Sequence, residues 1–185
     1  MALNKANKVL KEIERLARSE FLPIIGPYKG QILLEVIHEI KPKRILEIGT
    51  LVGYSTILMG KELGSDAHLV TIEIDPDEAR MAEENINRAE IAPTVEIRVG
   101  DAIDVLLKLE GMFDLVFIDA DKNEYLTYLK LVENRLHKGS VVVADNVGFF
   151  ANQMRDYLEY VRSSGKYSSR YVPANGDGLE ISVKL

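Results

Sequence analysis

Residues 44–55 read Arg44-Ile45-Leu46-Glu47-Ile48-Gly49-Thr50-Leu51-Val52-Gly53-Tyr54-Ser55, an apolar run that stops at one glycine and meets a second four residues later. A short apolar run bounded by glycine suits a buried strand, and the periodic stretch Tyr54–Leu63 behind it suits a helix. Gly49 and Gly53 let the backbone turn tightly and approach a ligand with no Cβ in the way. The first turn of the following helix leaves unpaired N–H groups at the same place.

The alternation continues outward from that unit. HLVTIEID (68–75) predicts a strand and Pro76–Ala89 a helix; VEIRVG (95–100) leads into a short helix ending near Glu110. FDLVFIDA (113–120) is followed by a helix ending near His137, and SVVVADNV (140–147) by a helix near Gln153–Ser163. Strands this apolar, separated by helices, indicate a mostly parallel sheet covered on both faces. Tyr167–Val172 and Leu179–Leu185 are joined only by PANGDG (173–178), too little chain for a crossover, so this pair is an antiparallel hairpin. Seven strands with one reversed are therefore expected. Upstream, Leu3, Val9, Leu10, Ile13, Leu16 and Ala17 carry helical spacing. Pro23 interrupts it, PIIGPYKG (23–30) reads as an irregular connector, and a further helix over Gln31–Ile40 leads to Pro42. One domain is expected, with residues 1–42 as a helical cap and 43–185 as the catalytic α/β core.

Composition narrows the chemistry. With 185 residues, 46% of them hydrophobic, the chain can bury a sizeable core. It has no cysteine, which removes disulfides, thiolate nucleophiles and Cys-ligated metals together. His38, His68 and His137 show no ligand spacing, so a metal would rest on oxygen. No apolar run approaches the roughly 20 residues that span a bilayer. The first residues have scattered charges and no apolar secretory region, so cytoplasmic residence and no membrane partner are expected. A net charge of −6 argues against a general nucleic-acid binder. Two basic clusters, Lys5, Lys8, Lys11, Arg15 and Arg18, then Lys41, Lys43 and Arg44, read as solvated faces, with an RNA-contacting surface as the rival reading.

An open α/β sheet binds its ligand beyond the carboxyl ends of the strands. Glu73, ending the second strand, can accept hydrogen bonds from the vicinal hydroxyls of a ribose, whereas Asp75, directly before Pro76, reads as a helix cap. Asp101, in Gly100-Asp101-Ala102, either receives an adenine amino group or caps a helix, and Ala102 leaves room for the ring. Asp119 ends the fourth strand, and Asp145 and Asn146 end the fifth. If those strands are neighbours, two carboxylates and an amide oxygen form a hard donor set suited to Mg²⁺. Lys122 stands beside that set, placed to take the proton of a metal-bound hydroxyl.

Taken together, the chain resembles the class I, metal-dependent O-methyltransferases, the group of catechol and caffeoyl-coenzyme A O-methyltransferases. The resemblance runs through PIIGPYKGQILLEVI, RILEIGTLVGYS, TIEID, VGDA, FIDADKNEY and ADNV to GDGLEISVKL. It implies a Rossmann-like sheet in the order 3-2-1-4-5-7-6 with strand 7 antiparallel, S-adenosylmethionine as cofactor, and Mg²⁺, Mn²⁺ or another divalent cation. It implies that Glu47, Gly49, Gly53 and Ser55 frame the methionine part of the cofactor, with Thr50 and Tyr54 in the same loop. Glu73 with Ile74 would hold the ribose, Asp101 and Ala102 the adenine, and Ile25 would approach from the cap. Asp119, Asp145 and Asn146 match the metal ligands, Asp119 also touching the cofactor side, and Lys122 matches the catalytic lysine; Asp121 falls at a variable position. The acid that steadies the second catechol hydroxyl has no clear match, and Tyr171 stands near its place.

The resemblance points to a hydroxyl of a small phenolic or catechol-like acceptor. Methylation of a wobble 5-hydroxyuridine in tRNA is the rival within the same chemistry. An NAD-dependent oxidoreductase would use a similar sheet, but the G-x-G-x-x-G fingerprint is missing, and a noncatalytic module leaves the metal set unexplained. The N-terminal helix and the outer side of the hairpin offer an isologous surface, and relatives commonly dimerise, so a homodimer is expected.

Overall fold

The alternating burial of three central strands organises the molecule, seen here in a computed structural model. It describes residues 2–185 and side chains from Asn4 onward, so the expected apolar position at Leu3 and the start of the cap at residue 1 lie outside what is described. In β1 (Arg44–Ile48), Ile45 faces one side of the sheet and Leu46 and Ile48 the other. In β4 (Phe113–Ile118), Leu115 and Phe117 oppose Val116 and Ile118 in the same way, as do Val141 and Val143 against Val142 and Ala144 in β5 (Leu136–Ala144). Side chains that alternate in direction but are apolar on both sides require cover on both faces.

Helices α1 (Ala2–Ser19), α2 (Gly26–Ile40) and α3 (Tyr54–Gly60) cover the first face through Val9, Ile13, Leu33, Ile37, Ile57 and Met59. The second is covered by α5 (Ala102–Leu106), α6 (Tyr125–Val132) and α7 (Arg155–Ser163), with Tyr125 and Tyr157 packed edge to face at 5.7 Å. The remaining elements are β2 (His68–Glu73), α4 (Pro76–Ala89), β3 (Thr94–Val99), β6 (Tyr167–Ala174) and β7 (Asp177–Lys184). The sheet runs β3-β2-β1-β4-β5-β7-β6, with β7 antiparallel to both of its neighbours, as the resemblance implies. Strand order reverses between β1 and β4, which places the switch point at the centre. Among the described residues, no helix is long and apolar enough to cross a membrane.

Three boundaries differ from expectation. The connector expected over 23–30 ends early, because α2 begins at Gly26. Pro27 starts that helix, since a missing N–H costs nothing where the first-turn donors have no partner anyway. The helix expected to reach His137 stops at Val132, a 3-10 turn spans Glu133–Arg135, and β5 already pairs with β4 at Leu136. The hairpin loop shrinks to Asn175 and Gly176, both at positive φ (49° and 84°), a tight turn whose twist matches the flanking strands. Asp177 thereby becomes the first residue of β7, paired with Ala174.

Candidate active site

The parallel ladder sets the acidic residues side by side. Gly49 N–H donates to the Ile72 carbonyl at 3.0 Å, Asp119 N–H to Ile48 at 2.9 Å, and Asp145 N–H to Ile118 at 3.0 Å. The residues that follow β1, β4 and β5 thus form one row at the carboxyl edge of the sheet, around a cleft of about 630 Å³.

One half of the cleft is built by the ends of β1 to β3. Gly49 sits at φ 102°, and a Cβ there would lie 2.1 Å from the Asp119 carbonyl oxygen, so only glycine lets this loop cross β4. Glu73 is buried and accepts from Leu51 N–H (2.7 Å), Thr50 N–H (3.2 Å) and Asp75 N–H (3.0 Å). Its carboxylate therefore fastens the glycine loop, and Glu73 also lines the cleft. Asp75 caps α4 through Asp77 and Glu78 N–H, as expected. Asp101 caps α5 through Ile103 N–H at 2.8 Å, the second of its two expected roles, and it also lines the cleft beside Ala102. Ile25, Thr50, Tyr54, Ser55 and Ile74 also line it, and Tyr54 donates its hydroxyl to Glu14 of α1 at 2.7 Å.

Two expected residues lie behind the wall. Gly53 backs onto Ala82 of α4, where a Cβ would stand 3.3 Å away. Glu47 is fully buried, takes a hydrogen bond from the Thr56 hydroxyl, and leaves Oε1 without a partner. Burial pushes its carboxyl up to about 7, against the pull of the surrounding hydroxyls.

The other half belongs to β4 and β5. Asp119 Oδ1 accepts from Lys122 Nζ at 2.8 Å, which leaves Oδ2 free of hydrogen bonds among the described residues. Asp145 Oδ1 takes Asn146 N–H at 2.6 Å and Lys29 Nζ at 2.6 Å, again leaving Oδ2. Asn146, at φ 64°, donates its Nδ2 to Asp177 Oδ2 at 3.1 Å and leaves its carbonyl oxygen. Burial, then the charge on Asp119, raises Asp145 above the carboxylate range, with Lys29 opposing. Three carboxylates, Asp119, Asp145 and Asp177, meet two ammonium groups here. One negative charge and three unused oxygens remain, which fits a hard divalent cation. Among the described residues no three His, Cys, Asp or Glu side chains make a metal site by themselves, Asp177 being taken up by Lys29, Asn146 and two backbone N–H groups, so the set depends on the Asn146 amide.

Lys29 and Asp177 were given no role in the sequence reading, and neither were the lining residues Phe21, Ile24, Tyr128 and Phe150. The only sequence signal for the pair is that each stands beside a glycine at the edge of a quoted stretch, in YKG and GDG.

A profile described as O-methyltransferase matches residues 3–161. The chain belongs to that family. Zebrafish (Danio rerio) catechol O-methyltransferase B is 38% identical over 96% of the chain and 72% of its own length. The catechol O-methyltransferase of Niastella koreensis is 42% identical over 66% of the chain, which spans 58% of that protein. An O-methyltransferase from Bacillus cereus, solved in complex with SAH, superposes with a TM-score of 0.86 at 30% identity, covering 96% of this chain and 91% of the other. The family span takes in Asp119, Lys122, Asp145 and Asn146 but ends before the hairpin, so Asp177 lies outside it.

Proposed function

We propose that the protein is an S-adenosylmethionine-dependent, divalent-metal-dependent O-methyltransferase acting on a hydroxyl of a small phenolic or catechol-like acceptor. The observation that carries this is the joining of two chemistries in one cleft, a glycine loop with a ribose-type acid and, directly beside it, an oxygen donor set with a lysine. Family membership and the SAH complex of the Bacillus cereus relative support the cofactor.

In this reading Glu73 receives the ribose, Asp101 and Ala102 the adenine, and Gly49, Thr50 and Ser55 the methionine end. Glu47 and Gly53 act from behind by shaping the loop. The cap expected at 1–42 contributes Phe21, Pro23, Ile24 and Ile25 to the cleft wall. Asp119, Asp145 and Asn146 would hold the cation through the oxygens they leave without a hydrogen bond. When bound, S-adenosylmethionine supplies a methyl carbon on a sulfonium, and the cation makes an acceptor hydroxyl more acidic. Lys122 Nζ, after giving up its own proton and as the free amine, would take the proton of an acceptor hydroxyl placed beside it, and bound S-adenosylmethionine would supply the methyl group that the acceptor oxygen receives, leaving as the neutral thioether. Alignment by the cleft supplies much of the rate.

The acceptor class follows from the wall. Among the described residues, Glu73, Glu78, Asp101, Asp119, Asp121 and Asp145 line the cleft against a single cation, Lys122, beside apolar Phe21, Ile24 and Phe150. Such a wall suits an uncharged aromatic ring and opposes a phosphate backbone. The cluster at Lys41, Lys43 and Arg44 begins β1, at the opposite end of the strand from the cleft. Lys5 pairs with Glu90 and Lys43 with Asp66, so these cations serve local ion pairs. Tyr171 donates its hydroxyl to the Asp177 carbonyl at 2.7 Å and brings no carboxylate for a second hydroxyl.

Parallel incubation with labelled methyl donor, small phenols and catechols in one pool and tRNA with or without 5-hydroxyuridine in the other, tests this. Label in phenols as well as catechols is expected. Label confined to hydroxylated tRNA overturns the acceptor assignment, and label in neither pool overturns the activity.

A further inference from the structure

Behind the cation half, and outside the cleft wall, a buried cluster joins three distant segments. Lys29 of α2 reaches Asp145 Oδ1 at 2.6 Å and Asp177 Oδ2 at 2.9 Å. Asp177 Oδ2 also accepts from Asn146 Nδ2 at 3.1 Å, while Oδ1 accepts from Gly148 and Phe149 N–H at 3.0 Å each. A Cβ on Gly148 would stand 2.9 Å from that Oδ1, so the loop after β5 is closed tightly onto the carboxylate. Every acceptor of Asp177 is therefore used inside the protein, and none is offered to the cleft.

An asparagine amide is useful to a cation only by its oxygen. Turned over, it presents two N–H donors and repels the ion. A carboxylate accepts only, so bonding to Asp177 fixes which end of Asn146 points inward and which points to the cleft. Asp177 also balances the Lys29 ammonium, which would otherwise lean on Asp145 alone and compete with the incoming cation for that carboxylate. Residues that orient metal ligands in this way commonly govern affinity without touching the ion.

We propose that Asp177 is the positioning residue of the cation site: it holds Asn146 by its nitrogen so that the carbonyl oxygen faces the cleft, and it neutralises Lys29 behind Asp145. This rests on the assignment of Asp119, Asp145 and Asn146 as cation ligands. Asp177 opens β7 and contacts Lys29 and Asn146, so the hairpin joins the site as well as closing the sheet.

The test is Mn²⁺ binding to the full chain, followed by calorimetry and by the spin resonance of free Mn²⁺. Wild type is compared with Asp177→Asn, which keeps an oxygen for the Gly148 and Phe149 N–H groups, and with Asp177→Ser should the first variant not fold. Glu180→Gln is the control for general damage to β7, because Glu180 is buried on the same strand and bonded to Arg162 at 2.6 and 2.9 Å. S-adenosylhomocysteine binding reports an intact cofactor half. A loss of about 10- to 100-fold in Mn²⁺ affinity is expected for the Asp177 variants, with S-adenosylhomocysteine affinity unchanged and Glu180→Gln like wild type. In an Asn146→Asp background, where both oxygens are equivalent and no orientation is needed, Asp177→Asn should cost clearly less, since only the charge beside Lys29 is lost. Wild-type Mn²⁺ affinity in Asp177→Asn, or an equal loss in both backgrounds, overturns the positioning role. If Asp145→Ala binds Mn²⁺ as wild type does, the ligand assignment fails first and the proposal falls with it.

Discussion

The two halves of the cleft are built by different means. At the ends of β1 to β3, contacts are made largely by backbone groups: Glu73 gathers the N–H groups of Thr50, Leu51 and Asp75, and Gly49 passes where no side chain fits. At the ends of β4 and β5, side chains bind side chains across long separations, and Lys29 meets Asp177 over 148 residues of chain. The first half is a shape held by a neutral backbone, whereas the second is a charge balance that stays incomplete. A cofactor needs the former, and a cation needs the latter.

This contrast can be broken at either side. The largest effect is expected from Lys122→Ala, which removes the proton acceptor and lowers methyl transfer by about 10²- to 10⁴-fold. Cofactor affinity should stay unchanged by calorimetry, and unchanged turnover would remove Lys122 from the mechanism. Glu73→Ala attacks the other half. It frees the Thr50 and Leu51 N–H groups and deletes the ribose acceptor, so S-adenosylhomocysteine affinity should fall by roughly 10- to 100-fold, the size of one or two lost bonds to a charged group. Mn²⁺ binding should survive; a variant that loses Mn²⁺ and keeps the cofactor would reverse the division of labour.

The cofactor half was legible because each of its parts is local. Gly49 and Gly53, Glu73 before Pro76, and Gly100-Asp101-Ala102 announce themselves within a few residues of a strand end. Asp119, Asp145 and Asn146 were legible by one further step, since adjacent parallel strands bring their ends together. Lys29 and Asp177 were not, and both fall where an element boundary was misread. Lys29 lies in the stretch expected to be irregular, yet Pro27 nucleates the helix that carries it. Asp177 lies in the expected loop, yet Asn175 and Gly176 complete the turn alone and leave Asp177 in register on β7. Contacts between two misread boundaries have no signature in either stretch taken separately.

A smaller effect sharpens the comparison from beneath the loop. Glu47 titrates near 7 in the folded chain against an ordinary value of 4.5, so the native state holds the extra proton between those values. Stability therefore falls as pH rises through that window, by at most about 1.4 kcal/mol per pH unit from this group. In Glu47→Gln the slope seen in denaturant unfolding at a series of pH values should become shallower by up to that amount, the remainder belonging to Asp145. A slope that persists unchanged would assign it to other carboxyls.

The joining of the two halves is tested most directly by transfer of labelled methyl from S-adenosylmethionine to a small phenol, with Mg²⁺ or with a chelator, in wild type and Asp145→Ala. The account predicts label in the wild type with Mg²⁺, and its loss both with chelator and in the variant. Equal transfer under chelation, or from Asp145→Ala, would show that the oxygen donor set takes no part in the chemistry.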